Sequence, residues 1–125
     1  MSPLCRGIRG ATTAEANTRE AILSATRELL TALVEANGVR VEDIAAVWFT
    51  TTPDLNAEFP ALAARQMGWE HTALLCGHEM AVPDGLPRCI RVLMLVNTEK
   101  RPEDLRHIYL KEAKDLRRRG MELQT

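Results

Sequence analysis

Cys89-Ile90-Arg91-Val92-Leu93-Met94-Leu95-Val96 is the longest apolar run in the chain, and an arginine stands inside it. β-Branched and long apolar residues on both alternating faces read as a strand covered on two sides. A guanidinium keeps its charge there, and an unpaired buried charge is costly. Arg91 therefore calls for an anionic or strongly polar partner. That partner is a carboxylate of the protein, or solvent at a strand end, or a ligand. The strand by itself favours an internal ion pair, since structural pairs commonly occupy such positions.

Working outward, Leu4 to Ala11 reads as a first strand, with Arg6, Ile8 and Gly10 on one face and Gly7, Arg9 and Ala11 on the other. Its glycines permit close backbone approach. Asn17 with Glu20 three residues on resembles a capping box, and a helix follows from about Thr18. Ile22, Leu23, Thr26, Leu29, Leu30, Leu33 and Val34 form one helical stripe that Asn37-Gly38 ends. Val41 to Ala45 reads as a short helical turn, and Ala46 to Thr51 as a second strand. Pro60 opens a helix that Gly68 stops near Met67. Thr72 to Cys76 is a third strand and Arg88 to Val96 the fourth. After Pro102 two patterns compete. Leu105, Ile108, Tyr109, Ala113 and Leu116 have helical spacing, whereas His107 to Leu110 also suits a short fifth strand. Residues 117–125 read as a solvated C-terminal tail. The order gives an α+β domain over residues 1–125, with a mixed sheet of about five strands and helices packed on one side.

The bulk numbers fit that picture. The 125 residues are 46% hydrophobic and 26% charged, enough for one domain with a real core. A net charge of −1 with no basic face outside the tail argues against nucleic acid. No apolar run reaches membrane-spanning length, and no secretory leader is read at the N-terminus. Cys5, Cys76 and Cys89 are too few and too scattered for a disulfide framework, so a reducing cytoplasm is expected. Of the sixteen basic residues thirteen are arginine. That ratio is a composition bias or a sign of bidentate anion recognition.

Several chemistries fit poorly. His78-Glu79 begins like a zincin helix, but the second histidine would fall at Val82, so no metal is expected. Cys76 lies near His78 in sequence but not in the arrangement of a nucleophile and its base, and a small core cysteine explains it as well. Gly7 and Gly10 lack phosphate-loop spacing. What remains is Arg9, Arg65 and Arg91 in ordered elements, with Glu79 after the third strand and Tyr109 in the possible fifth. Three arginines, a carboxylate and a phenol suit a small ligand with more than one carboxylate and a hydroxyl.

In order along the chain, Arg6 to Thr13, Thr52 to Ala57, Phe59-Pro60-Ala61, Gly68-Trp69, Glu79-Met80, Cys89 to Val92 and Arg106 to Leu110 resemble the monofunctional chorismate mutases of the AroH class. The resemblance spans nearly the whole chain. It implies a trimeric pseudo-α/β-barrel, active sites between subunits, and rearrangement of chorismate to prephenate on the route to aromatic amino acids. It implies no cofactor and no metal. Carried over residue by residue, Arg9 and Tyr109 would hold a substrate carboxylate. Arg91 would reach the ether oxygen and a carboxylate, and Glu79, with Cys76 nearby, would receive the ring hydroxyl. Phe59, Ala61, Leu74, Leu75 and Leu116 would form apolar walls, with Arg65 and Arg117 at the mouth. Arg9, Arg91 and Tyr109 would face Phe59, Cys76 and Glu79 of a neighbour. Leu62 departs from the pattern, since relatives carry a lysine there. The Tyr109 role requires the fifth strand, so the strand reading is preferred for His107 to Leu110.

Two other readings compete. One is a YjgF-type imine or enamine deaminase, a trimer of similar shape that also holds a ligand carboxylate with a strand arginine. The second anion clamp of Arg9 and Tyr109 separates the two. The other is a non-catalytic trimer that binds an aromatic-pathway metabolite. With chorismate as ligand, Arg91 is expected to lack a dedicated protein carboxylate when the site is empty.

Overall fold

The computed structural model describes residues 2–116. Arg117 and the remainder of the expected tail lie outside them. Five strands form one sheet: β1 (Leu4–Thr13), β2 (Ile44–Thr51), β3 (Ala73–His78), β4 (Cys89–Thr98) and β5 (Ile108–Tyr109), in the order β3-β2-β4-β1-β5. β4, the strand of the long apolar run, lies at the centre, antiparallel to both β1 and β2. β3 runs parallel to β2, and β5 parallel to β1. The fold is α+β with a mixed sheet.

Helix α1 (Arg19–Asn37) connects β1 to β2, and the shorter α2 (Ala61–Gln66) connects β2 to β3. The expected stripe buries Ile22, Leu29, Leu30 and Leu33 completely. The three leucines meet Ile8, Val47, Phe49, Val92, Met94 and Val96 from one face of the sheet, while Ile22 packs with Leu55 and Ile90. Gly38 ends α1 in the left-handed conformation, with its N–H on the carbonyls of Val34 and Glu35. The start of α1 differs from expectation. Thr18 is the cap, its hydroxyl accepting the Ala21 N–H, while Asn17 reaches across to Asn56 and Ala57.

β4 is not covered on both faces within one chain. Ile90, Val92, Met94 and Val96 are buried under the helices, but Arg91 and Leu93 are exposed on the other side. Strand register aligns Leu75, Trp48, Leu93 and Arg9 in one row across that open face, and Gly77, Thr50, Arg91 and Ala11 in the next. Trp48, Leu75 and Leu93 are 40%, 60% and 38% exposed. A row of large apolar side chains open to water is the mark of a surface made for contact.

The segment after Pro102 resolves as two 3-10 turns, Pro102–Asp104 and Lys111–Asp115, on either side of β5. Asn37, buried at the end of α1, fixes the entry to β5: its amide accepts the Arg106 N–H (2.7 Å) and donates to the Arg106 carbonyl (3.0 Å). Leu110 N–H then bonds the Ala11 carbonyl at 2.9 Å. Among the described residues no helix is long and apolar enough to cross a membrane.

Candidate active site

A cleft of about 380 Å³ opens on the uncovered sheet face. Alternation along three strands supplies its floor: Arg9 and Ala11 from β1, Trp48 and Thr50 from β2, and Arg91 and Leu93 from β4. Tyr109 of β5, Glu79 just beyond β3, and Leu116 complete the walls. The register sets Thr50 and Ala11 on either side of Arg91, with Tyr109 paired to Ala11. Arg9 stands one row away, opposite Leu93.

Glu79 is held at several points. Its N–H donates to the Thr51 carbonyl at 2.8 Å, extending the β2–β3 ladder by one residue. Oε2 accepts the Thr50 hydroxyl at 3.0 Å, and Oε1 accepts the Met80 N–H at 3.1 Å. Arg91 Nη1 lies 3.5 Å from Oε2, and the two side chains are 47% and 32% exposed. This corrects two expectations. Arg91 does have a protein carboxylate within reach in the empty site, and Glu79 belongs to the same chain as Arg91. The contact is long and wet, so it is a weak tie that a better anion can displace. Two guanidinium forks, a phenol and one carboxylate give the cleft an excess of positive charge and donors suited to carboxylates.

The other expected residues are not in this cleft. Phe59 and Cys76 line a second cleft of about 340 Å³, together with Thr51 and His78. Cys76 is three residues before Glu79 but lies in a different cleft, because strand alternation turns it toward the helices beside Phe49. Burial pushes its thiol above the ordinary range, against the Ala61 N–H and the Arg65 charge, so it is a poor nucleophile at neutral pH. Burial likewise raises Cys89 beneath Arg91, although that guanidinium acts the other way. Ala61 is buried in the core, and Leu74 packs against it rather than facing the arginines. Leu75 is exposed on the same face as Trp48. Arg65 is exposed on α2, and Arg117 lies outside the described residues. Trp48, Thr50 and Leu93 were not among the expected site residues. The period of two counted from Arg91 finds Leu93, whereas Trp48 and Thr50 follow only once the register of β2 on β4 is known.

Comparison with known proteins agrees with this architecture. A chorismate mutase from Clostridium thermocellum superposes with a TM-score of 0.86 at 50% identity, over 87% of this chain and 97% of that one. Chorismate mutase AroH of Thermus thermophilus is 54% identical over 115 residues, 91% of this chain and 94% of the relative. Chorismate mutase AroH of Bacillus subtilis is 44% identical over 115 residues, 91% of each chain. Neither the deaminase nor the passive binder finds support among these matches. The sequence model for chorismate mutase type I covers residues 5–119, and the chain belongs to that family.

Proposed function

We infer that this chain isomerises chorismate to prephenate. The observation that carries the reading is a cleft presenting Arg9, Arg91, Tyr109 and Glu79 in a member of this family. A pericyclic rearrangement needs no base, nucleophile or metal. The substrate must fold into a compact shape, and its ether bond lengthens ahead of carbon–carbon bond formation. Negative charge grows on the ether oxygen and positive charge on the ring.

Arg9 and Tyr109 hold one carboxylate, which lowers the entropic barrier to the folded shape. Arg91 turns from Glu79 toward the ether oxygen and a carboxylate. Charge on that oxygen develops mainly in the transition state, so this contact raises turnover and not only binding. Glu79, steadied by Thr50, accepts the ring hydroxyl and faces the developing positive charge.

The working unit is a homotrimer. Its support is the open apolar face of Trp48, Leu75 and Leu93, together with the separation of the expected site residues into two clefts. Phe59, Leu75 and Cys76 of one subunit, backed from the core by Ala61 and Leu74, would then close the arginine cleft of the next, with Leu116 as a wall and Arg65 and Arg117 at the mouth. A monomer mass by sedimentation at working concentration would overturn the assembly. The three unpaired cysteines suit a reducing cytoplasm.

The direct test adds purified protein to chorismate and follows the loss of its ultraviolet absorbance, with prephenate identified as product. Absence of turnover by folded protein rejects the reading. In the same assay Cys76→Ser is expected to remain close to the parent enzyme, because the thiol is protonated and takes no covalent part. Complete inactivation of folded Cys76→Ser protein would favour a nucleophilic mechanism.

A further inference from the structure

Tyr109 reaches the cleft on a strand of only two residues, which is too short to hold its own register. Its pairing with β1 is Gly10 with Ile108 and Ala11 with Tyr109. One step further back, where the next backbone bond of the ladder would fall, a side chain stands in. The Arg9 N–H donates to Nδ1 of His107 at 2.9 Å. The donor belongs to one member of the proposed anion clamp, and the acceptor lies two residues from the other. We propose that His107 is a positioning residue for the rearrangement: its ring fixes Tyr109 beside Arg9 so that both meet the same substrate carboxylate. This rests on the reading of Arg9 and Tyr109 as that clamp.

The chemistry of the contact is specific. A backbone N–H is only a donor, so Nδ1 must be the unprotonated nitrogen of the ring. The imidazole is therefore neutral with its proton on Nε2. Asparagine places its carbonyl oxygen near the position of Nδ1. Glutamine reaches instead to the position of Nε2 and leaves the Arg9 N–H without this acceptor. The two amides thus separate the hydrogen bond from mere polarity. Asn37 already holds the Arg106 backbone on the far side, so β5 keeps an anchor when the ring is lost. The expected defect is a displaced phenol rather than an unfolded chain.

Two measurements test this on the intact protein. Nitrogen-15 NMR of histidine-labelled protein is expected to show the Nε2–H tautomer at His107. Steady-state kinetics on chorismate are expected to give His107→Asn a KM near that of the parent. For His107→Gln and His107→Leu the KM should rise about tenfold, with kcat changing much less, as loss of one net hydrogen bond in a binding contact implies. The Nδ1–H tautomer, or a parent-like KM in both His107→Gln and His107→Leu, overturns the proposal. A uniform fall in kcat across all three variants also overturns it, since that pattern marks a general structural defect. Arg9→Ala is the separate control: an unchanged KM there rejects the clamp itself, whatever the tautomer of His107.

Discussion

Arg91→Ala is expected to lower chorismate turnover by about a hundredfold to a thousandfold, the scale seen when a preorganised donor to a developing oxyanion is removed. The fold should survive. Arg91 is 47% exposed, and its tie to Glu79 is a 3.5 Å surface pair of the kind that contributes little to stability. Thermal unfolding close to that of the parent would therefore accompany the loss. The defect should fall mainly on kcat, because the growing charge on the ether oxygen is what Arg91 answers. Arg91→Lys keeps a charge but not the planar fork, so it should recover only part of the activity. Near-normal turnover in a folded Arg91→Ala protein would remove the electrostatic mechanism proposed above.

The second large effect is expected at Gly10, in stability. A Cβ placed there would lie 3.0 Å from Leu29 Cδ1, 3.1 Å from Leu33 Cδ1 and 3.2 Å from the Ile108 carbonyl oxygen. The leucine ends belong to fully buried side chains of α1, so they have little room to yield. The carbonyl is backbone of β5, and pushing it away moves Tyr109. Alanine normally gains a few tenths of a kcal/mol to about 1 kcal/mol over glycine in a strand. Overpacking outweighs that here, and Gly10→Ala should be destabilised by about 1–3 kcal/mol. Urea unfolding with an unchanged slope and a lower midpoint would show it. A midpoint at or above the parent value would mean that α1 shifts freely over the sheet.

Much of this architecture is legible in the residues because it rests on local periodicity. The α1 stripe, the Gly38 stop and the β4 run are each set by neighbours in sequence. The failures share one cause, which is partners far along the chain. Asn17 resembles a capping residue, but its side chain spans 39 positions to Asn56. The strand reading preferred for His107 to Leu110 is, by contrast, borne out at Ile108–Tyr109, where β1 and Asn37 offer the backbone groups partners that a helix would not. Arg91 reads as buried because every neighbour in its strand is apolar. In the chain itself one face of that run is open, so alternation along β4 buries Ile90, Val92, Met94 and Val96 and leaves Arg91 and Leu93 exposed. Glu79 is expected to face Arg91 from a neighbouring subunit, whereas the two meet within one chain. Nothing local indicates that β3 ends where Thr50 and Arg91 can both reach it.

The short β5 has a consequence beyond the cleft. It covers β1 only at Gly10 and Ala11, and His107 takes the Arg9 N–H. Nearer the N-terminus the same edge of β1 is left, among the described residues, without a further strand. A long bare strand edge invites addition of another chain and the growth of aggregates. Here the bare stretch is only a few residues long, and Arg6, tied through Nε to the Lys100 carbonyl, brings charge to it. Loosening β5 would lengthen that stretch by the segment beside Tyr109. The peptide that carries the phenol thus also covers part of an edge that would otherwise be open to sheet-to-sheet accretion.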